Sequence, residues 1–304
     1  MWIKRDDLTG SALTGNKVRK LEFIAAHAIE QGFSTLVTCG SIQSNHCRAT
    51  AIVAAQLGLG CHLVLRANNY ESRGDVTGNY LLDLLAGARI EILPADQWAA
   101  QLPLAFDRLE YFYAEAGKPA LMIPTGGSDS LGIWGYIAAV EELANDLKAL
   151  EIERPLIVTP TGSGGTQTGL TAGVALMGLP IEVMGYAVCD DSSWFDNRVR
   201  SDWIGAVRRW EQLPKIDIHP VTRDHSVGEG YGKASDEVYR SILELARLEG
   251  VILDPVYTGK AFLGLIKDIA AGEFPDVSDI VFVHTGGVFG LFNHQSGILE
   301  QIRN

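Results

Sequence analysis

The chain has 304 residues, of which 47% are apolar and 20% charged, as is typical of a soluble globular protein with one large or two modest domains. A formal net charge of −12, with lysines and arginines scattered along the chain, argues against binding to nucleic acid, which requires a basic face. No apolar run approaches the length that spans a bilayer, and the N-terminus has no signal-peptide core, so we expect a cytoplasmic protein without membrane contact.

In chain order, short apolar runs alternate with longer amphipathic or alanine-rich runs. A helix is predicted to follow Lys17. Further helices are predicted at 44–58, 78–87, 98–116, 131–150, 168–177, 195–211, 233–249 and 259–271. Strands are predicted at 34–40, 61–66, 89–94, 155–160, 181–188 and 279–285. This alternation is typical of an α/β fold with mostly parallel sheets, and strands in both halves of the chain indicate two domains with a cleft between them.

The segment "TPTGSGGTQTGL" (159–170) follows a predicted strand and opens a helix. Backbone amides and the helix dipole make such a loop an anion site, to which Ser163 and Thr166 add hydroxyl groups. No Gly-Lys-Ser/Thr follows, and Gln167 stands where a dinucleotide-binding loop has glycine, so the segment indicates a monophosphate site or an ordinary tight turn.

The segment "GSIQSNHCR" (40–48) is a second junction between a strand and a helix. Gln43, Ser44 and Asn45 lie near free amides that can hold a carboxylate, although helix capping by Ser44 or Asn45 is the simpler explanation. His46 is explained more readily as a half-buried structural histidine than as a catalytic group. In a third junction, "HTGGVFGLF" (284–292), Thr285 can present a neutral hydroxyl at the sheet edge.

Other reactive side chains give weaker signals. Tyr257 and Tyr231 lie in glycine-flanked or turn-like segments, where each could line a pocket, donate a proton or simply pack. The four cysteines have no paired spacing, so we expect free thiols, those of Cys39, Cys47 and Cys61 being buried. The seven histidines have no recognised ligand spacing, and we predict no catalytic metal. Ser44 is not in a Gly-x-Ser-x-Gly elbow, which disfavours a serine hydrolase.

Lys17, in "TGNKVRKLEF" (14–23), is either a surface charge at a helix start or a reactive amine. Arg19 and Lys20 have no evident role beyond a solvated or salt-bridged helix face, whereas Leu21 and Phe23 have the character of core positions. Pyridoxal phosphate accounts for a monophosphate site, a carboxylate site and a reactive lysine together, because its aldehyde forms a Schiff base with lysine.

Six motifs make this interpretation specific: "KRDDLTG", "GNKVRKLEF", "SIQSNHCRATA", "GSGGTQTGL", "DPVYTGKA" and "HTGG…GLF". In this order, the six motifs together span essentially the whole chain. The sequence thereby resembles the D-cysteine desulfhydrase and 1-aminocyclopropane-1-carboxylate deaminase family, within the tryptophan synthase β-like pyridoxal-phosphate enzymes.

The resemblance implies roles for individual residues. Lys17 is similar to the Schiff-base lysine, Asn45 to the asparagine that binds the cofactor's ring hydroxyl, and Thr285 to the residue near the pyridine nitrogen. Tyr257 matches a tyrosine that faces the substrate, and Tyr231 a second pocket tyrosine. The phosphate loop is matched by Ser163, Gly164, Gly165 and Thr166. The substrate-carboxylate loop is matched by Gln43, Ser44 and His46, with Ser44 a candidate for proton transfer.

The resemblance also implies a fold of type II among pyridoxal-phosphate enzymes, with twisted, mostly parallel sheets flanked by helices. We expect a smaller α/β domain at 22–131, a larger cofactor-binding domain at 1–21 plus 132–304, the cofactor in the cleft between them, and a homodimer. Family members generally have a segment before "KRDDL", and its loss is expected to expose apolar surface. Thr14 stands where the family usually has glycine and would be strained if its φ were positive.

Two positions bear on the substrate. Ring-opening deaminases of the family resemble one another in carrying Glu after "DPVY" and Leu after the His of "HxGG", where this chain has Thr258 and Thr285. Both threonines resemble the D-cysteine desulfhydrase pattern and imply β-elimination of D-cysteine to pyruvate, ammonia and hydrogen sulfide, with Lys17 as base and Thr258 near the substrate. Alternatives are an L-cysteate sulfo-lyase, a 1-aminocyclopropane-1-carboxylate deaminase, a non-catalytic pyridoxal-phosphate-binding protein, or an α/β protein whose turns bind nothing.

Overall fold

The computed structural model describes residues 1–67 and 76–303. In that part of the chain the strands are β1 (Trp2–Lys4), β2 (Thr35–Ser41), β3 (Gly60–Ala67), β4 (Arg89–Pro94), β5 (Ala120–Met122), β6 (Leu156–Thr161), β7 (Glu182–Ala187), β8 (Val221–Arg223) and β9 (Ile280–Val283). The α-helices are α1 (Asn16–Glu30), α2 (Asn45–Leu57), α3 (Gly78–Leu85), α4 (Trp98–Glu115), α5 (Trp134–Ala149), α6 (Gly165–Met177), α7 (Ser192–Arg209), α8 (Asp236–Glu249), α9 (Thr258–Ala270) and α10 (Gln295–Arg303). Short 3₁₀ helices lie at Asp6–Leu8, Ala95–Gln97, Thr125–Gly127 and Val288–His294.

Two parallel sheets organise the molecule. The five-stranded sheet has the order β1-β9-β6-β7-β8, and the four-stranded sheet has the order β4-β3-β2-β5. Strand pairing is parallel throughout the described residues, with Ser41 opposite Arg66 in one sheet and Thr161 opposite Ala187 in the other. The structure therefore confirms the predicted α/β class.

The cores form because the strands are apolar on both faces, as parallel strands covered by helices require. Every residue of β6 and β9 is buried. One apolar cluster fills the space between the five-stranded sheet and helices α8 and α9, and another lies between this sheet and helices α5 and α6. Cys39, Cys47 and Cys61 are buried free thiols, as predicted.

Helix α1 packs against helices associated with both sheets, namely α2 and α5. Its core face includes Leu21 and Ile24, each 1% exposed, whereas Phe23 is only partly buried. At Gly135 of α5, a β-carbon would lie 2.3 Å from the carbonyl oxygen of Arg19, so only glycine permits this close approach of α1 and α5. The packing fixes the first turn of α1, which carries Lys17, between the two sheets.

Most predicted elements are present, with end points that differ by a few residues. Strand β4 has the predicted bounds, whereas α6 begins at Gly165 rather than at residue 168. Strands β1, β5 and β8 and helix α10 were not predicted. Thr14 has no positive φ, so the anticipated strain is absent. Within residues 1–67 and 76–303, no helix combines the length and apolar character needed to cross a membrane.

Candidate active site

A cavity of about 410 Å³ lies where the carboxyl ends of strands from both sheets face each other. Ser41 ends β2, Thr161 ends β6 and Thr285 follows β9, and all three line the cavity. The lining also includes predicted residues from distant parts of the chain: Lys17, Ser44, Asn45, His46, Ser163, Gly164, Thr166, Tyr231 and Tyr257. The structure thus brings together residues that the sequence places more than two hundred positions apart.

Lys17 lies in the first turn of α1 and points its amine at the carbonyl oxygen of Gly126, 3.5 Å away. The backbone amide of the preceding residue, Asn16, donates to the carbonyl oxygen of Thr285 at 3.0 Å, which joins the start of α1 to the end of β9. Burial lowers the pKa of Lys17 to about 8. An appreciable fraction of its amine is therefore neutral, and nucleophilic, near physiological pH.

The glycine-rich loop turns from β6 into α6. Gly164 has φ +87°, a left-handed conformation that glycine adopts without strain, and it lines the cavity. The Ser163 hydroxyl lies 2.8 Å from that of Ser128, which also accepts from the amide of Gly165 at 3.2 Å. Gly165 itself does not line the cavity. Hydrogen bonds that involve the Ser128 and Ser163 hydroxyl groups thus hold the loop in this conformation.

Lys20 lies behind this loop. The prediction that it belongs to a solvated or salt-bridged helix face is therefore wrong. Its side chain is fully buried and donates to the Ser128 hydroxyl at 3.0 Å and the Gly126 carbonyl at 3.2 Å. Burial and the nearby Lys17 charge lower the pKa of Lys20 well below its usual range. Arg19 does form ion pairs, with Asp6 and with Glu142.

The start of α2 presents polar groups in two directions. The Ser44 hydroxyl caps the helix by accepting from the amide of Cys47 at 3.2 Å, and it also lines the cavity. Nε2 of His46 lies 2.8 Å from the Thr38 hydroxyl; burial lowers the pKa of His46 well below its usual range, so the ring is neutral. The histidine is buried, yet it lines the cavity.

Gln43, predicted in the same loop, points away from the cavity. Its Nε2 donates to the carbonyl of Thr77 at 3.1 Å, and its Oε1 accepts from the amide of Asn79 at 2.9 Å. These bonds supply a partner for a free amide at the start of α3, where Thr77 provides no side-chain cap. Gln43 is therefore placed to organise α3 rather than to contact a substrate in the cavity.

Two tyrosines, Tyr231 and Tyr257, also line the cavity. The hydroxyl groups of Tyr231 and Tyr257 are hydrogen-bonded to each other, and their rings are 5.8 Å apart in an edge-on arrangement. Burial raises the pKa of Tyr231, and burial together with the neighbouring phenol raises that of Tyr257 well above its usual range. Both phenols are therefore protonated at neutral pH and can donate a proton.

The two threonines that bear on the substrate differ in position. Thr285 lines the cavity, but Thr258 is fully buried outside the lining. The Thr258 hydroxyl donates to a carboxylate oxygen of Asp254 at 2.8 Å and accepts from the Asp254 amide at 2.8 Å. Its position supports a part in starting α9 rather than contact with the substrate.

Sequence reasoning missed several lining residues that carry no motif. The Arg66 guanidinium lies over the ring of Trp98, 5.7 Å from its centre, and over that of Tyr231, 5.9 Å away. Asp190, which follows β7, also lines the cavity. Across the described ranges, no three His, Cys, Asp or Glu side chains are grouped as a metal site would require.

Comparisons with known proteins agree with this geometry. A family model described as "Pyridoxal-phosphate dependent enzyme" matches residues 1–286. The chain is 40% identical to a D-cysteine desulfhydrase of Klebsiella pneumoniae, covering 96% of this chain and 88% of the relative. It is 38% identical to a bifunctional D-cysteine desulfhydrase/1-aminocyclopropane-1-carboxylate deaminase of Arabidopsis thaliana, covering 96% of this chain and 73% of the relative. A crystal structure of a homologue of 1-aminocyclopropane-1-carboxylate deaminase superposes with a TM-score of 0.87 at 36% identity, covering 98% of this chain and 88% of that one.

Proposed function

Because the chain belongs to the family of pyridoxal-phosphate dependent enzymes, we propose that it eliminates the β-substituent of a small amino acid, with D-cysteine as substrate. Family membership confirms the predicted cofactor and the predicted enzyme class, a pyridoxal-phosphate dependent lyase. In the proposed reaction, D-cysteine and water give pyruvate, ammonia and hydrogen sulfide.

The residues of the cavity fit pyridoxal phosphate. The loop at Ser163 and Gly164 offers hydroxyl and amide donors to a phosphate, and Lys20 lies directly behind it. A bound anion would favour the ammonium form that burial of Lys20 opposes. The buried hydroxyl of Thr161 lines the cavity without a hydrogen-bond partner in the described residues, as expected where a ligand supplies one.

When bound, pyridoxal phosphate supplies an aldehyde that captures amines and a ring that accepts electrons. In our proposal Lys17 anchors the cofactor and its Nζ then takes the proton from Cα of the substrate. A pKa of about 8 suits a base that must be neutral near pH 7. The free amides at the start of α2 and the Ser44 hydroxyl hold the substrate carboxylate. As the bond from Cβ to sulfur breaks, the protonated Tyr257 donates a proton to the leaving sulfide.

The cavity favours elimination over ring opening. The neutral Thr258 stands where ring-opening deaminases carry a glutamate, and Thr285, in the position matched to the ring nitrogen, is also a neutral hydroxyl, so neither side chain favours the protonated nitrogen. A weaker electron sink suffices when the charge at Cα is discharged at once by a leaving group. The names of relatives support both reactions, since several at 37–38% identity are called putative 1-aminocyclopropane-1-carboxylate deaminases.

We also propose the two-domain arrangement, with the cofactor between the domains, and the homodimer that the resemblance implies. The four-stranded sheet lies within the expected smaller domain at 22–131, and the strands of the five-stranded sheet lie in the remainder. This distribution supports those domain boundaries, with the cofactor between the two sheets. Light scattering by the purified protein would show whether it is the homodimer that we expect.

The observation that carries the proposal is the Lys17 amine, with its lowered pKa, in one cavity with Tyr231 and Tyr257. Borohydride treatment of the protein with pyridoxal phosphate should fix the cofactor covalently, and Lys17→Ala should abolish this fixation. The matched control is Lys118→Ala, an exposed lysine that should change nothing. Covalent fixation that persists in Lys17→Ala would refute the proposal that Lys17 anchors the cofactor.

A substrate panel tests the reaction itself. We expect pyruvate and sulfide from D-cysteine, and lower rates with L-cysteine, L-cysteate and 1-aminocyclopropane-1-carboxylate. Faster turnover of L-cysteate or of the cyclopropane amino acid would identify that compound, instead of D-cysteine, as the substrate. No product from any of the four compounds, in protein that binds the cofactor, would favour a non-catalytic binding protein.

A further inference from the structure

Asn79 is a fully buried residue in the first turn of α3, and its side chain connects three other residues near the cavity. Its Nδ2 donates to Oδ1 of Asn45 at 2.9 Å and to the backbone carbonyl of Gln43 at 2.9 Å. Its Oδ1 accepts from the guanidinium of Arg48 at 3.3 Å. None of these contacts belongs to the catalytic groups described above, yet one of them ends on Asn45, which lines the cavity.

The polarity of the partners fixes which way the Asn79 amide points. A guanidinium can only donate hydrogen bonds, and a backbone carbonyl can only accept them. Oδ1 of Asn79 must therefore face Arg48, and its NH₂ group must face Gln43 and Asn45. The fully buried Arg48 cannot readily move, because it also donates to the carbonyl of Thr14 at 2.7 Å and lies 4.9 Å from the ring centre of Phe289.

The orientation of the Asn79 amide also fixes the orientation of the Asn45 amide. Because Asn79 offers a donor, Asn45 must turn its Oδ1 toward α3, and its own NH₂ group is left for the cavity. We propose that Asn79 is a positioning residue that holds Asn45 with its N–H groups toward the ring oxygen of the cofactor. The inference rests on the proposed function, in which Asn45 contacts that oxygen.

An N–H donor stabilises an oxygen that carries negative charge and opposes its protonation. Asn79 therefore keeps the ring oxygen of bound pyridoxal phosphate ionised to lower pH. If the Asn45 amide were turned over, its carbonyl oxygen would face the ring oxygen and favour the protonated form instead. Arg48 and Asn79 thus tune the cofactor through Asn45, without contacting the cofactor themselves.

Asn79→Asp tests this role because it replaces the donor by an acceptor of the same shape, beside Arg48 as a counter-charge. The new carboxylate should turn the Asn45 amide. The transition in the near-visible absorption of the holoenzyme should then move to higher pH, by about one unit. Asn79→Ala removes the donor without adding charge and should give a smaller shift in the same direction.

Gln43→Glu is the matched control. It also converts an amide to an acid next to α3, but it keeps the bond from Asn79 to Asn45, since that bond and the bond to the Gln43 carbonyl involve other atoms. Its transition should stay within about 0.3 pH units of the wild type. In an Asn45→Ala background, Asn79→Asp should add no further shift, because the group that it turns is gone.

Three results would overturn the inference: wild-type titration in both folded Asn79 variants, an equal shift in Gln43→Glu, or a full shift by Asn79→Asp without Asn45. If Asn79→Asp does not fold, as judged by circular dichroism, Asn79→Ala decides. Failure of the wild type to fix the cofactor on Lys17 is a different outcome, which would reject the proposed function instead.

Discussion

Lys17 and Lys20 show how one helix turn can hold two lysines in different surroundings. Residues three apart lie on the same face of a helix, so both amines point from α1 toward the cavity and the glycine-rich loop. Burial lowers the pKa of each lysine, and the charge of Lys17 lowers the pKa of Lys20 further. Lys17 meets open cavity, whereas Lys20 meets Ser128 behind the loop. The first is free to react and the second is held in place.

Lys20→Met should separate the roles that we propose for the two lysines. Methionine keeps much of the volume but removes the donor behind the phosphate loop, so affinity for pyridoxal phosphate should fall about 10- to 100-fold. Affinity for pyridoxal, which has no phosphate, should change less than about threefold. Absorbance titrations of both ligands would check this, and equal losses for the two would contradict a phosphate role.

The spacing of the two lysines was a signal that could have identified Lys20 from the sequence. A basic cluster at a helix start is usually solvated, and only the three-residue spacing from Lys17 sets Lys20 apart from Arg19. Asn79 and Arg66 offered no comparable signal, because their positions depend on strands and helices that meet only in the folded chain. Local patterns therefore predict reactive groups better than the residues that support them.

At the scale of elements, the start of α9 shows how a turn can orient a side chain that lines the cavity. One carboxylate oxygen of Asp254 accepts from the amides of Val256 and Tyr257 at 2.9 Å, and the other from that of Thr258 at 2.8 Å. Amides at a helix start have no partners within the helix, so this carboxylate satisfies them. The same contacts fix the backbone that carries the Tyr257 phenol into the cavity.

Thr258→Val and Thr285→Val should therefore act differently. The first leaves the buried amide of Asp254 without its acceptor and should lower the free energy of unfolding by about 1–3 kcal/mol, with little change in substrate preference. The second alters the cavity and should change the ratio of rates for D-cysteine and the cyclopropane amino acid at nearly constant stability. Urea unfolding would measure the stability of both variants, and rate assays with D-cysteine and the cyclopropane amino acid would measure their substrate preference. A large change of preference in Thr258→Val would restore its direct role at the substrate.

The strands that the sequence did not reveal have a common physical cause. Strands β1, β5 and β8 have three residues each, too few for a periodic pattern, and they exist because neighbouring strands pair with them. Strand β4, with six residues, was predicted with its observed bounds. Longer strands carry their own signal, whereas short edge strands depend on the sheet that they join.

For the whole molecule, the orientation of α1 depends on charges as well as on apolar packing. Arg19 donates to the nearly buried carboxylate of Asp6 at 2.8 and 2.9 Å and to Glu142 of α5 at 2.9 Å. Lys4 of β1 also pairs with Glu142. This network joins the edge of the five-stranded sheet, the helix that carries Lys17 and helix α5. It therefore couples the stability of the fold to the geometry of the cavity.

Glu142→Gln should expose this coupling through its pH dependence. Hydrogen bonds from Arg19, with help from Lys4, hold the pKa of Glu142 at about 2, against 4.5 for an ordinary glutamate. A carboxyl whose pKa is lowered by folding stabilises the protein above pH 4.5, and that contribution is lost as the pH falls toward 2. Because the Glu142 side chain is 49% exposed, we expect a loss of about 1 kcal/mol or less at pH 7.

Urea unfolding at pH 7, 4 and 3 would measure the difference between wild type and Glu142→Gln, which should shrink as the pH falls. Glu141→Gln is the matched control, since this neighbouring glutamate is exposed and forms no ion pair with the described residues. It should unfold like the wild type at every pH. A difference for Glu142→Gln that stayed constant from pH 7 to 3 would show that side-chain packing, rather than the charge on Glu142, holds α1 against α5.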